Sequence, residues 1–248
     1  MARNRFHSDL LSSDWNRKPM TSLIDVDALT IGFGSAPPVV QDVSFSVRAG
    51  ETLALVGESG SGKTLTCRSV LRILPEAAEM RSGQITFAGN SGPIDLLHCS
   101  QQQMRSIRGN RIAMIFQEPM RSLSPLHRLG DQVGEVLRIH RNLGGPETKR
   151  LVLEQFEKVG FVDPERAWSS YPFEMSGGMR QRAMIAMAMV AKPEILIADE
   201  PTTALDVTTQ AQVLGLIRTL QAETGMAVVL VTHDLGVVAN MAQHVVVM

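Results

Sequence analysis

The chain has 248 residues, 44% hydrophobic and 20% charged, with 24 Lys and Arg against 25 Asp and Glu for a net charge of −1. That is enough chain to bury the core of one large domain, and the balance excludes wholesale disorder. A near-neutral charge, 4% aromatic residues and a single Tyr exclude the basic footprint and base-stacking platforms of a nucleic-acid binder. The longest apolar run, the nine residues from Ala183 to Ala191, is far short of the ~20 that a membrane-spanning helix needs.

In chain order, residues 1–20 are polar, carry Arg3, Arg5, Arg17 and Lys18, and read as a loose leader without a secretion signal. Segments 23–31, 39–48 and 84–88 alternate like antiparallel strands. Thr52 to Val56, Arg111 to Phe116, Ile195 to Ala198 and Ala227 to Thr232 are short continuous apolar runs, the pattern of parallel strands buried on both faces. Between them, helical patterns cover 63–74 (stopping at Pro75), 129–141, 146–159, Met179 to Ala191 and roughly Thr208 to Glu223. In 146–159, Val152, Phe156 and Val159 form an i, i+4, i+7 stripe, with Pro146 near the first helical position. Strands alternating with helices predict an α/β fold, a mostly parallel core sheet flanked by helices, with an antiparallel β portion near the start. Residues 118–192 hold helices but no convincing strand and read as a helical insertion. The expected division is therefore a core of 21–117 and 193–248 and a helical subdomain of about 118–192. The chain stops at His244-Val-Val-Val-Met248, which reads as the start of a buried strand, so truncation is expected. Cys67 and Cys99 can make neither a metal cage nor a disulfide framework alone, and read as free reduced thiols.

Gly57-Glu58-Ser59-Gly60-Ser61-Gly62-Lys63-Thr64 is a complete G-x-x-x-x-G-K-[ST] loop. Its glycines let the backbone curl so that successive N–H groups face phosphate oxygens, and the helix beginning near Lys63 adds its positive end. Lys63 can reach the β- and γ-phosphates and the Thr64 hydroxyl can ligate Mg²⁺. Thr66, one position beyond Leu65, is included in the candidate nucleotide-contacting set. Ile195-Leu-Ile-Ala-Asp199-Glu200 then places two carboxylates at a strand end. Asp199 can hold Mg²⁺ directly or through water, and Glu200 can polarise an attacking water.

Gly57, Gln117, Asp199 and His233 each follow one of the four predicted parallel strands, and in an open parallel sheet those carboxyl ends share the ligand-binding edge. Separately, Ser176-Gly177-Gly178-Met179-Arg180-Gln181-Arg182 opens a helix with a good N-cap and two glycines, a second phosphate-binding end. One triphosphate hardly needs two such ends. Two chains facing head to tail could use one from each.

The order of phosphate loop, Gln117, SGGMRQR, IADE, Ala204-Leu205-Asp206 and His233 resembles the ATP-binding subunit of ABC transporters over about residues 23–248. The resemblance implies a P-loop ATPase of ABC type that hydrolyses ATP with Mg²⁺. It implies that two subunits, identical or different, sandwich two ATP molecules between the phosphate loop of one and the Ser176-Gly177-Gly178 segment of the other. By the same resemblance Gln117 links metal or water to the helical subdomain, Glu200 is the catalytic base, His233 contacts the γ-phosphate, and Asp206 sits at the dimer interface. The adenine-stacking aromatic corresponds to Phe33. Gln117-Glu-Pro-Met-Arg-Ser-Leu-Ser-Pro125, Tyr171-Pro-Phe-Glu-Met-Ser-Gly-Gly178 and Ile197-Ala-Asp-Glu-Pro-Thr-Thr-Ala-Leu-Asp-Val207 look like the peptide/nickel importer ATPases, with a slight lean to the nickel type. Expected partners are a second ATPase subunit, two transmembrane permease subunits and, indirectly, a periplasmic or extracellular substrate-binding protein. The expected location is the cytoplasmic face of the inner membrane, peripherally. The rival readings are a non-transport ABC-type ATPase, which usually carries long insertions, tandem cassettes or a basic surface, and a regulatory module that holds ATP without turnover, which would be favoured by loss of Glu200 or His233.

Overall fold

The computed structural model describes residues 22–88, 92–117, 122–203 and 205–248. The leader, residues 118–121 of the Gln117 motif and Ala204 lie outside the described residues. Strands β1 (Ser22–Phe33), β2 (Val40–Arg48), β4 (Ala78–Phe87) and β5 (Ile94–Asp95) form an antiparallel sheet in the order β2-β1-β4-β5. Strands β3 (Thr52–Val56), β6 (Ile112–Ile115), β7 (Ile195–Asp199), β8 (Ala227–Val231) and β9 (His244–Val247) form a parallel sheet in the order β6-β7-β8-β3-β9.

Strands β6, β7, β8 and β3 read as unbroken apolar runs because the sheet is covered on both sides. Ala113, Ile115, Leu196, Ala198, Val228 and Leu230 pack into a core shared with the helices between β6 and β7. Their alternates Ile112, Met114, Ile195, Ile197, Val229 and Val231 pack into a second core with Ile24, Val26, Ile31, Ile85 and Phe87 of the antiparallel sheet. The pleat sends neighbouring side chains to opposite faces, so each of these short strands serves two cores.

Helix α1 (Lys63–Val70) follows β3, and α2 (Gln101–Ile107) precedes β6. Helices α3 (Leu129–Arg141), α4 (Gly145–Lys158), α5 (Pro164–Ser169), a 3₁₀ turn at Pro172–Glu174 and α6 (Gly177–Met189) lie between β6 and β7, with no strand there among the described residues. Helix α7 (Val207–Thr224) joins β7 to β8, and α8 (Leu235–Met241) joins β8 to β9.

Two helix bounds are corrected. Helix α1 ends at Val70 rather than at residue 74. Arg72 turns left-handed at φ 51°, and Arg108 donates to the carbonyls of Leu71 and Arg72 at 2.6 and 3.0 Å, closing the helix end from outside. Helix α6 starts two residues earlier than Met179, because Ser176 itself caps it by accepting from the Met179 amide at 3.3 Å. The final strand forms as expected: β9 pairs with β3 in parallel register, Leu53 opposite His244 through Val56 opposite Val247.

Helix α2 was not expected, although Ser100 and Gln103 make a reciprocal capping box there, a pattern legible as S-x-x-Q. Both cysteines are free, as expected, and burial pushes the Cys67 thiol pKa up.

The long strand β1 is kinked, with register shifts against both neighbours near Ala28, whose φ is 48°. Gly83 of β4 accommodates the kink with φ +103°, and a Cβ there would lie 2.6 Å from the Leu29 Cα. Gly83→Ala should therefore destabilise the fold by about 1–3 kcal/mol, through backbone strain and a clash with main chain that cannot move aside. A lowered urea midpoint at constant m-value checks this, and an unchanged midpoint refutes it.

Candidate nucleotide-binding and catalytic site

All five strands of the second sheet are parallel, so their carboxyl ends lie along one edge. Gly57 follows β3 directly, Gln117 comes two residues after β6, Asp199 is the last residue of β7, and His233 comes two residues after β8. The candidate residues therefore gather at the edge where parallel sheets bind ligands.

Between β3 and α1, Gly57, Gly60 and Gly62 have φ values of 153°, 86° and 95°. All three lie in the range that favours glycine, which bends the chain around a hollow. Close packing adds a second reason at Gly62, where a Cβ would fall 2.5 Å from Val40 Cγ2. Glu58, Ser59 and Gly60 are exposed at the crest. Gly62 caps α1 without a side-chain bond, and the first turn carries no acidic residue, so the helix presents its positive end unopposed. Lys63 is buried, and its Nζ donates to the carbonyls of Gly57 and Glu58 at 2.9 and 2.7 Å, clipping the loop across its own mouth. Thr66 is different: it is buried within α1, with its hydroxyl 3.9 Å from Met248 Sδ, and it does not share the crest. Phe33 is half-buried at the end of β1, and the segment after it reaches the loop through Val39 and Val40 beside Gly62.

The Thr64 hydroxyl donates to Asp199 Oδ1 at 3.0 Å, and Asp199 is fully buried. Burial raises its pKa, opposed by the Thr64 hydrogen bond and the charge of Arg68. The other carboxylate oxygen, Oδ2, is buried without a hydrogen-bond partner. A half-satisfied carboxylate beside a hydroxyl is an oxygen donor set that fits a hard divalent cation such as Mg²⁺. Among the described residues no cluster of three or more His, Cys, Asp and Glu could hold a metal, so an ion here would draw on this pair together with phosphate oxygens and water.

Glu200 is strained, with φ 47°, a conformation that stores about 1–3 kcal/mol in a residue other than glycine. Its amide donates to the Val231 carbonyl at 3.1 Å. Its Oε2 accepts from Gln117 Nε2 at 3.0 Å and from the Thr203 hydroxyl at 2.8 Å, and Oε1 lies 3.7 Å from His233 Nδ1. His233 is exposed, and a cavity of about 190 Å³ opens beside it, lined by Glu200, Thr202, Thr203, Leu205 and Asp234 among others. The three residues expected to work together, Gln117, Glu200 and His233, are thus in contact around one carboxylate. Thr203 was not singled out from sequence. Its signal is the short turn after Glu200, closed by the Thr203 amide donating to the Glu200 carbonyl at 3.2 Å.

The second glycine segment stands apart in its packing. Ser176 and Gly177 are exposed at the start of α6, and Gly178 lies against α7, where its Cβ would be 3.0 Å from Thr209 Cγ2. Asp206 caps α7, accepting from the Thr209 amide and hydroxyl at 2.9 and 2.6 Å, and these bonds hold its carboxyl below the usual range. Gln181, quoted in the motif but given no role, is buried and donates to the Pro201 carbonyl at 2.5 Å.

A phosphate-cradling loop after one parallel strand, two carboxylates at the carboxyl end of another strand of the same sheet and a helical stretch ending in a second glycine start define an ATP-binding cassette. Residues 40–203 match the ABC transporter family, and the chain belongs to that family. It is 52% identical over 225 residues to the "Probable peptide ABC transporter ATP-binding protein y4tR" of Sinorhizobium fredii, covering 90% of this chain and 66% of that protein. It is 45% identical over 233 residues to the oligopeptide transport ATP-binding protein OppD of Bacillus subtilis, covering 92% of this chain and 64% of that one. The chain thus spans just under two thirds of the length of these two relatives. Among solved structures, the dimeric post-hydrolysis state of the cassette MJ0796, bound to ADP and Pi, superposes with a TM-score of 0.77 at 25% identity, over 91% of this chain and 94% of that one. No helix among the described residues is long and apolar enough to cross a membrane.

Proposed function

We propose that this chain is the ATP-binding and ATP-hydrolysing part of an importer that takes up peptides. The observation that carries the reading is the meeting, on one sheet edge, of the clipped phosphate loop, the Thr64–Asp199 pair and a Glu200 carboxylate held by Gln117 and Thr203. The relatives reported above are named for peptides, so the peptide branch rather than the nickel type is carried forward.

In this reading the amides from Glu58 to Thr64 and the Lys63 ammonium bind the triphosphate, and Phe33 offers its ring to the adenine. Thr64, Asp199 and Gln117 hold Mg²⁺, which when bound supplies positive charge to the β- and γ-phosphates. Glu200 accepts a proton from the attacking water, and Gln117 and Thr203 hold its Oε2 while Oε1 lies on the His233 side. His233 donates to the γ-phosphate. The chemistry is positioning and charge stabilisation, the route expected for phosphoryl transfer.

Ser176, Gly177 and Gly178 serve the triphosphate of a second cassette, with Asp206 at the interface. The dimeric state of the MJ0796 cassette supports that arrangement. Closure on ATP and reopening after hydrolysis pass through residues 118–192 to two membrane-spanning permease subunits at the cytoplasmic face of the membrane, which receive cargo from an external binding protein. Leu126 and Phe173 in this region are exposed, and the Phe173 ring stacks on Tyr171 at 5.4 Å, an apolar surface suited to a partner.

Complementation in trans tests the pairing. Lys63→Ala and Ser176→Arg chains should each be inactive alone. Mixed in equal amounts they should recover about a quarter of wild-type ATPase, because half of randomly paired dimers keep one of two composite sites intact. No recovery, with dimer formation verified, would refute the head-to-tail arrangement.

A further inference from the structure

We propose that Gln181 is a positioning residue for Glu200, fixing through the Pro201 carbonyl the turn that carries the general base. The proposal rests on the reading of Glu200 as that base.

Gln181 lies one turn inside α6, on a helix whose other buried residues, Ala183, Met184, Ile185, Ala186, Ala188 and Met189, are all apolar. A primary amide in that setting is costly unless it is hydrogen-bonded, and Leu or Met would fill the space more easily. The bond it makes, 2.5 Å from Nε2 to the Pro201 carbonyl, crosses from α6 to the turn after β7.

That turn is the least relaxed part of the site. Glu200 has φ 47°, and the proline after it disfavours the right-handed helical alternative. The Glu200 amide is held by Val231, its carbonyl by the Thr203 amide and its carboxylate by Gln117 and Thr203. What these contacts leave open is the rotation of the turn beyond the Glu200 carbonyl. Pro201 has no N–H with which to anchor itself, so its carbonyl is the available handle. Gln181 grips that handle from a rigid helix. Strained conformations persist only where the surroundings over-determine them, and Gln181 supplies the contact from the helical side of the molecule.

The test is steady-state ATPase of Gln181→Leu, alone and combined with Glu200→Gln. Gln181→Leu should lower kcat ~10- to 100-fold while KM for ATP stays within about twofold, since the phosphate loop is untouched and only the base is displaced. In the Glu200→Gln background it should cause no further loss, because no base remains to be positioned. Wild-type kcat in Gln181→Leu overturns the proposal, and so does an equal fold-loss in both backgrounds. Normal turnover in Glu200→Gln alone would instead remove the base assignment on which the proposal stands.

Should Gln181→Leu fail to fold, Gln181→Glu keeps the volume. An ionised Glu cannot donate to Pro201, whereas a protonated one can. Its activity relative to wild type should therefore rise as pH falls, and a flat ratio overturns the proposal.

Discussion

Glu200→Gln is expected to bind ATP with near-normal affinity and to lose hydrolysis by ~10²- to 10⁴-fold, the usual worth of a general base. The substitution keeps the side chain's length and shape, so the Thr203 and Gln117 side chains still have an oxygen or amide within reach of 2.8–3.0 Å. What disappears is the charge that accepts the proton of the attacking water. With hydrolysis blocked, the closed pair of cassettes should accumulate, visible as an ATP-dependent shift to dimer on size exclusion. Wild-type turnover in this variant would sink the assignment of the base, whatever its effect on dimerisation.

Lys63→Ala is expected to weaken ATP binding by at least ~10- to 100-fold, the equivalent of one charged hydrogen bond of about 1.5–3 kcal/mol. Lys63 is buried against the carbonyls of Gly57 and Glu58, so its ammonium sits where a phosphate group can replace those carbonyls as its partner. Removing it takes the fixed positive charge from the hollow and also releases the clip that shapes the loop. Arg is no substitute, because its larger planar head does not fit a site built around a compact ammonium. Nucleotide titration at fixed Mg²⁺ checks the expectation, and an unchanged dissociation constant would refute it.

Much of this site was legible before any geometry. The phosphate loop is a contiguous motif whose glycines and lysine act locally, and its placement after β3 and before α1 follows from an apolar run meeting a helical pattern. Asp199 and Glu200 could be read for the same reason, as polar residues ending an apolar strand. The contacts made across long sequence separations were not legible. The Thr64–Asp199 bond spans 135 positions and the Gln117–Glu200 bond 83, and neither pairing follows from local pattern. Thr66 shows how far local spacing reaches: two residues from Thr64 in sequence, it is buried with its hydroxyl 3.9 Å from Met248 Sδ, because a helix rotates such neighbours to different faces.

By itself the sequence determined the class of chemistry: a loop for phosphate, two carboxylates at a strand end and a second glycine-rich helix start. These depend on residues close together in the chain, where spacing alone sets geometry. Only the tertiary structure decided which groups hold which. It joined Thr64 to Asp199, gathered Gln117, Thr203 and His233 about one strained glutamate, and set Gln181 of the signature helix against Pro201. The reason is the strand order β6-β7-β8-β3-β9, which places the ends of strands far apart in sequence side by side along one edge, an order that no local pattern encodes.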